Sequence, residues 1–174
     1  TGHLDDVNID SAILCNMVDF IRDHMPHNVN AILIMKDRKL VFEEYFPGYD
    51  YSYFGNKFHG DKIDWDRNTK HCMHSTTKSF TSTLIGMAIQ KGYLGGVDDK
   101  MFDHLTNYNE YINEDNRDIT IKHLLTMTGG FQWNQNELGL DNPGNDLIRF
   151  NRAPDPYAYI LAKPVIHEPG THFY

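Results

Sequence analysis

Ser75 and Lys78 stand three residues apart in the stretch HSTTKSFTSTLIGMAIQKGYL, residues 74–94, and together they could make a nucleophile and its base. On a helix, positions i and i+3 share a face, close enough for a hydroxyl and an amine to hydrogen-bond. In the first turn, free backbone N–H groups and the positive end of the dipole favour developing negative charge. A hydroxyl there becomes a useful nucleophile only when a base takes its proton. A lysine can be that base if burial strips away the water that its charged form needs. Bringing it from about 10.4 to near neutrality takes about 4–5 kcal/mol. The run Leu84-Ile85-Gly86-Met87-Ala88-Ile89 predicts a deeply packed helix, an environment of that kind. The competing reading is a lysine that snorkels from a helix start and does no chemistry. A cation in the first turn opposes the dipole by about 0.3–1 kcal/mol, which slightly favours a special reason for its place.

Other reactive residues form weaker patterns. The two cysteines, Cys15 and Cys72, lie in segments of different character and make neither a disulfide framework nor a CxxC pair. Cys72, three residues before Ser75, reads as a small buried apolar residue before it reads as a thiol nucleophile. His71 and His74 form an H-x-x-H, as do His24 and His27. With His71 on a strand, the first pair points to opposite faces and chelates poorly. No HExxH occurs. A zinc hydrolase is disfavoured, and neither a metal nor a cofactor is expected.

The elements that must position Ser75 and Lys78 follow from periodicity. Asp10 or Ser11 can cap a first helix reaching about His24, with Leu14, Met17, Val18, Ile21 and Met25 on one stripe and Pro26 ending it. Residues 30–36 and 39–45 are apolar runs flanking Asp37-Arg38, and they predict a β-hairpin with a tight turn. Leu40 and Phe42 alternate imperfectly with Val41 and Glu43, which predicts cover on both faces of the second strand. Residues 46–65 carry Pro, Gly, Asn and many aromatics with no period, the composition of a long loop of the kind that often forms a lid or rim. Residues 71–73 suggest a brief strand. The helix of Ser75 and Lys78 follows, with Gly92 at its stop. Short helices and loops should occupy the section after residue 97. Thr120 is a plausible N-cap for a helix over residues 121–127 with Leu124 and Leu125 buried, and Asp155-Pro156 precedes another over 157–162.

Composition narrows the classes. The 174 residues suit one domain or a domain with an inserted lobe, and 40% apolar with 13% aromatic residues can build a core. A net charge of −8 argues against a nucleic-acid partner, which would need a basic face. No stretch is long enough to span a membrane. No leader is visible, and the expected compartment is periplasmic or extracellular, with the cytoplasm as the alternative.

Three ordered motifs carry a family resemblance. Ser75-Thr76-Thr77-Lys78-Ser79-Phe80, with Gly92 and then Val97-Asp98-Asp99, resembles the SxxK region of the serine β-lactamase and penicillin-binding-protein superfamily. ITIKHLLTMTGG at residues 119–130 is similar to a second motif of its class C-like branch, which holds β-lactamases, esterases and 6-aminohexanoate-oligomer hydrolases. HEPGTHF at 167–173 is similar to the PGTxF that leads into that branch's catalytic tyrosine. The resemblance runs over about residues 31–174. It implies an α/β sandwich of the β-lactamase/transpeptidase type, an antiparallel sheet packed with helices plus a helical lobe. Residues 1–97 would supply the N-terminal helix, hairpin, aromatic loop and central helix of the α/β lobe, and residues 98–174 the start of the helical lobe. It implies a serine hydrolase that acts through an acyl-enzyme on a small-molecule amide, β-lactam or ester. Ser75 would be the acylated nucleophile, Lys78 its base or proton relay, and the Ser75 N–H half of an oxyanion hole.

Tyr174 falls one position before the place of the family tyrosine and is not assigned. The Lys-Thr-Gly-like strand, the second oxyanion donor and the remaining sheet strands are also missing, so the chain looks like the N-terminal part of a longer enzyme. The alternative is a non-catalytic penicillin-binding-like module that recognises peptidoglycan or a related ligand. The presence of both Ser75 and Lys78 argues against it. Substrate identity and oligomeric state stay open. If residues 46–65 form a rim of the substrate cleft, shortening the loop should alter KM or substrate preference more than melting temperature. Steady-state kinetics beside a thermal melt checks this, and lost stability with unchanged kinetics would mark the loop as structural.

Overall fold

In the computed structural model the described residues are 2, 4, 7–24, 29–51, 59–139 and 142–174. They form two compact units, residues 1–74 and 75–174. The helix that begins after Ser75 therefore groups with the second unit, whereas the lobe boundary expected from the sequence falls after residue 97.

In the first unit, α1 spans Ser11–Asp23, and the Asp10 carboxylate caps it by accepting from the Ala12 N–H at 2.8 Å. Leu14 and Val18 are buried and Met17 and Ile21 half-buried, as the stripe requires; Met25 lies outside the described residues. β1 (Ala31–Lys36) and β2 (Lys39–Tyr45) pair antiparallel. The turn residues Asp37 and Arg38 both have positive φ, 50° and 62°, the left-handed pair of a type I′ hairpin turn. Ile34 pairs with Phe42 but Met35 pairs with Leu40, so Val41 is an extra residue bulged out of the ladder. The bulge explains the imperfect alternation, since it places Val41 in the core while Leu40 and Phe42 are half-buried. Phe46 is almost fully buried and its N–H donates to the Asn30 carbonyl at 2.9 Å. The Arg67 guanidinium grips both oxygens of Glu43 on β2, at 3.2 and 2.6 Å.

Inside the expected long loop, β3 (Gly48–Tyr49) pairs with β4 (Lys62–Ile63), and residues 52–58 lie outside the described residues. Residues 71–73 form no strand. They join no ladder, and His71 spends its ring nitrogens locally, Nδ1 on the Cys72 carbonyl at 3.0 Å and Nε2 at 3.1 Å from Asn30 Oδ1.

The second unit opens with α2, Thr76–Gln90, which Gly92 stops with φ of 76°. This helix departs from expectation. None of its residues is fully buried, and Phe80, Leu84 and Met87 are 62, 63 and 46% exposed. Its apolar residues surround the axis, as in a helix built to be covered on most sides, and the described residues cover only part of it. Two 3-10 helices, Met101–Asp103 and Thr106–Tyr111, lead to α3 (Ile121–Leu125), α4 (Asp146–Arg152) and α5 (Pro156–Leu161). The core gathers Met101, Phe102, Ile119 and Leu161, with Leu105, Tyr108, Phe131 and Val165 packed against it. On α3 it is Ile121 that is buried. Leu124 and Leu125, expected inside, are 43 and 37% exposed: at i+3 and i+4 they share the Ile121 face, and the described residues cover that face only at Ile121.

α4 has no counterpart in the sequence reading. It is seven residues long and is held by a buried polar pair. Asn145 caps it through the Leu147 N–H, and the Asn145 carboxamide donates to the Gln135 and Leu138 carbonyls at 3.0 and 2.6 Å. The buried Asp146 carboxylate accepts from Lys163 Nζ and the Tyr159 hydroxyl, both at 2.5 Å, and from the Asn134 N–H at 2.6 Å. Burial alone would raise the Asp146 carboxyl, but the hydrogen bonds from Lys163, Tyr159 and Asn134 outweigh it and hold it below the usual carboxylate value. Burial likewise pulls the Lys163 ammonium down, and the Asp146 carboxylate more than reverses it.

A carboxyl whose folded value is lowered stabilises fully above its unfolded value, about 3.9, and loses that contribution as pH falls through the lower folded value. Asp146→Asn leaves Lys163 without its counter-ion and should cost about 3–5 kcal/mol near neutrality. Urea melts between pH 7 and pH 2 should show the deficit shrinking as the wild-type carboxyl protonates, and a pH-independent difference would refute the assignment.

Candidate active site

Ser75 immediately precedes α2 with helical torsions, φ −67° and ψ −14°. A serine at this place ordinarily turns its oxygen onto a free N–H of the first turn, but Ser75 makes no such capping bond. Its Oγ instead accepts from Lys78 Nζ at 3.1 Å, while the Lys78 N–H donates to the Ser75 carbonyl at 2.9 Å. The first helical turn thus supplies the frame, and the i, i+3 spacing brings amine to hydroxyl as the sequence predicts. No acidic residue occupies that turn, so the positive end of the helix dipole is left for a developing anion. Among the described residues no acceptor takes the Ser75 N–H, which leaves it free to donate to an oxyanion.

The burial expected for Lys78 is absent. Ser75 and Lys78 are both exposed, and among the described residues Lys78 forms no ion pair. The desolvation that would make this lysine a base is not supplied by the residues described, because the same helix face that carries it lacks cover.

The other two motifs are knitted to each other. Thr120 and His123 form a reciprocal capping box at the start of α3: the Thr120 hydroxyl accepts from the His123 N–H and His123 Nδ1 accepts from the Thr120 N–H, each at 3.3 Å. After α3 the chain turns through Met127, whose φ is 54°, to Gly130 at 79°. The Gly130 carbonyl accepts from the N–H groups of Ile166 and His167, and a Cβ at Gly130 would sit 2.1 Å from the His167 carbonyl oxygen, so no other residue fits. The Gly170 N–H donates to the Thr128 carbonyl at 2.8 Å, and the Tyr174 N–H to that of Met127 at 3.1 Å. Residues 126–130 and 166–174 therefore form one joint, and no hydrogen bond among the described residues links it to Ser75 or Lys78.

Three further placements bear on sequence-derived candidates. Cys15 and Cys72 are both exposed free thiols, so Cys72 is not the buried apolar filler expected of it. Among the described residues no group of histidine, cysteine and acidic side chains could hold a metal ion, His71 and His74 included. The aromatic loop does line a cavity within the first unit, where Tyr49, Tyr51 and Trp65 each pair with an imidazole, of His59, His74 and His71 in turn. The aromatics were legible in the sequence; their histidine partners, up to 23 residues distant, were not.

Protein flp of Staphylococcus aureus strain N315 is 30% identical over 156 residues, which cover 89% of this chain and 28% of that protein. Its counterpart in strain COL is 29% identical over 157 residues. A solved Bacillus anthracis chain described as a 6-aminohexanoate-dimer hydrolase superposes with a TM-score of 0.59 over 91% of this chain and 38% of its own, at 16% identity. That likeness shows the fold, an α/β architecture of the β-lactamase type of which this chain spans the part described above. The chain spans 28% of the length of the curated relatives it matches. The Beta-lactamase family model matches residues 20–174, a span that takes in the Ser75–Lys78 pair and the whole joint between residues 126 and 174, and the chain belongs to that family.

Proposed function

We propose that the protein is a serine hydrolase of the class C-like branch that cleaves an amide, β-lactam or ester through an acyl-enzyme on Ser75. The observation that carries this reading is the 3.1 Å hydrogen bond from Lys78 Nζ to a Ser75 Oγ that caps nothing. In the acylation step the Ser75 oxygen attacks the substrate carbonyl and its proton passes to the Lys78 amine. The tetrahedral oxyanion takes the free Ser75 N–H, and the leaving amine or alcohol departs with that proton. Water then cleaves the acyl-serine and restores the hydroxyl. As placed, Lys78 donates to Ser75; to act as the base it must shed its own proton first. Cover over α2, from bound substrate or from the rest of a longer protein, would favour the neutral amine by removing its water.

A non-catalytic peptidoglycan-binding module draws its support from the exposure of Lys78, which lacks the dry surroundings expected around a catalytic lysine. Labelling separates the two. A fluorophosphonate or a fluorescent penicillin should acylate the full-length protein at Ser75, located by peptide mass spectrometry, and Ser75→Ala should lose turnover by about 10⁴-fold or more without loss of folding. An unlabelled protein that still binds peptidoglycan would establish the module instead.

Lys78→Met should abolish acylation while leaving the melting temperature nearly unchanged, because the ammonium it removes is exposed. A variant that acylates at the wild-type rate would remove Lys78 from the mechanism.

A further inference from the structure

The cavity of the first unit, about 160 Å³, is lined by two hydrogen-bond donors that no group accepts. Asn30 and Trp65 are each only 7% exposed, yet Asn30 Nδ2 and Trp65 Nε1 are buried without a hydrogen-bond partner. Buried donors are almost always paired, so two orphans in one cavity mark a place for an acceptor. The indole can do nothing but donate. The two donors also lie close together. A Cβ built on Gly48 would stand 2.4 Å from Asn30 Nδ2 and 3.6 Å from Trp65 Nε1, so the nitrogens are at most about 6 Å apart. One carboxylate can span that distance with an oxygen on each donor at ordinary hydrogen-bond lengths.

Hydrogen bonding fixes the charge of the wall as well. His71 Nδ1 meets the Cys72 carbonyl at 3.0 Å and Nε2 meets Asn30 Oδ1 at 3.1 Å. Both oxygens can only accept, so both ring nitrogens donate, and a ring with two N–H groups is an imidazolium. Among the described residues no carboxylate pairs with it. The same contact occupies the Asn30 oxygen and leaves its NH2 as the free end. Asp50, the acid in the lining, spends Oδ1 on the Tyr51 N–H at 2.7 Å, and His59 Nδ1 is held by the Gly60 carbonyl at 2.9 Å. A cationic guest would meet two N–H groups and an imidazolium with the wrong sign. An apolar guest would leave both donors unpaired. A carboxylate satisfies both and neutralises the ring.

We propose that this cavity binds a small carboxylate. The site draws on Asn30, Trp65 and His71 and not on Ser75 or Lys78, so its test does not depend on acylation. In the full-length protein, at fixed ionic strength and about pH 6, acetate should shift the Trp65 indole N–H resonance saturably, the signal being assigned by its loss in Trp65→Phe. Acetamide, of the same shape and uncharged, should bind at least about tenfold more weakly. His71→Gln keeps a donor for Asn30 Oδ1 but removes the charge, and should weaken acetate by about tenfold. His71 is exposed, so its substitution should leave the remaining amide spectrum in place. A carboxamide turned the other way would set its oxygen against the guest, so acetate binding also requires the Asn30 orientation described. Acetamide binding as tightly as acetate would overturn the proposal, as would unchanged acetate affinity in His71→Gln. No saturable shift with either probe would mean that water satisfies the two donors, and would overturn it too.

Discussion

The Asp146 carboxylate is the interaction on which the second unit's irregular half depends. One buried side chain takes hydrogen bonds from Lys163 beyond α5, from Tyr159 on α5 and from the backbone at Asn134, and its own residue opens α4. The described residues between 134 and 145 carry no helix or strand, so their backbone groups need partners from elsewhere. The adjacent Asn145 supplies several of them from the other direction, through the Gln135 and Leu138 carbonyls. Two neighbouring polar side chains do what a run of apolar contacts does in the Met101–Phe102–Ile119 core. The difference is in tolerance. An apolar cluster loses stability by increments, whereas a buried charge left without its partners costs its full desolvation.

That contrast separates what was legible in the sequence from what was not. α1, the hairpin and α2 come from local rules: an acidic N-cap at Asp10, a two-residue turn at Asp37-Arg38, a glycine stop at Gly92. The Thr120 cap is equally local, and the His123 ring that completes it sits only three residues on. α4 escaped because its determinants are long-range. Its cap Asn145 looks like one more loop residue in an Asn- and Gly-rich stretch until the carbonyls it holds are seen. Lys163, the counter-ion of Asp146, is 17 residues away.

The Ser75–Lys78 pair divides in the same way. That Ser75 and Lys78 would meet was readable from a spacing of three, which the helix converts into a 3.1 Å contact. The burial that the sequence led one to expect for Lys78 is not found among the described residues, where Lys78 is exposed. The apolar run after it states that the helix is to be covered, and no local pattern states by what. The same limit accounts for Leu124 and Leu125, whose apolar character is plain and whose cover is not among the residues described.

The bulge at Val41 has a consequence for how the chain behaves among copies of itself. Among the described residues each sheet has two strands, so β1 and β2 turn outer edges away from their ladder, of which only the Leu40 carbonyl is seen to be taken, by the Gly2 N–H at 3.1 Å, and both strands are long enough to attract a third strand from another molecule. An extra residue in β2 bends that edge and breaks the even spacing of its hydrogen-bonding groups, while Lys36 and Lys39 put charge at the turn end of both strands. A foreign strand laid along β2 would fall out of register within a few residues. The residue that spoils the alternation in the sequence is thus also what keeps an apolar hairpin from serving as a template for aggregation.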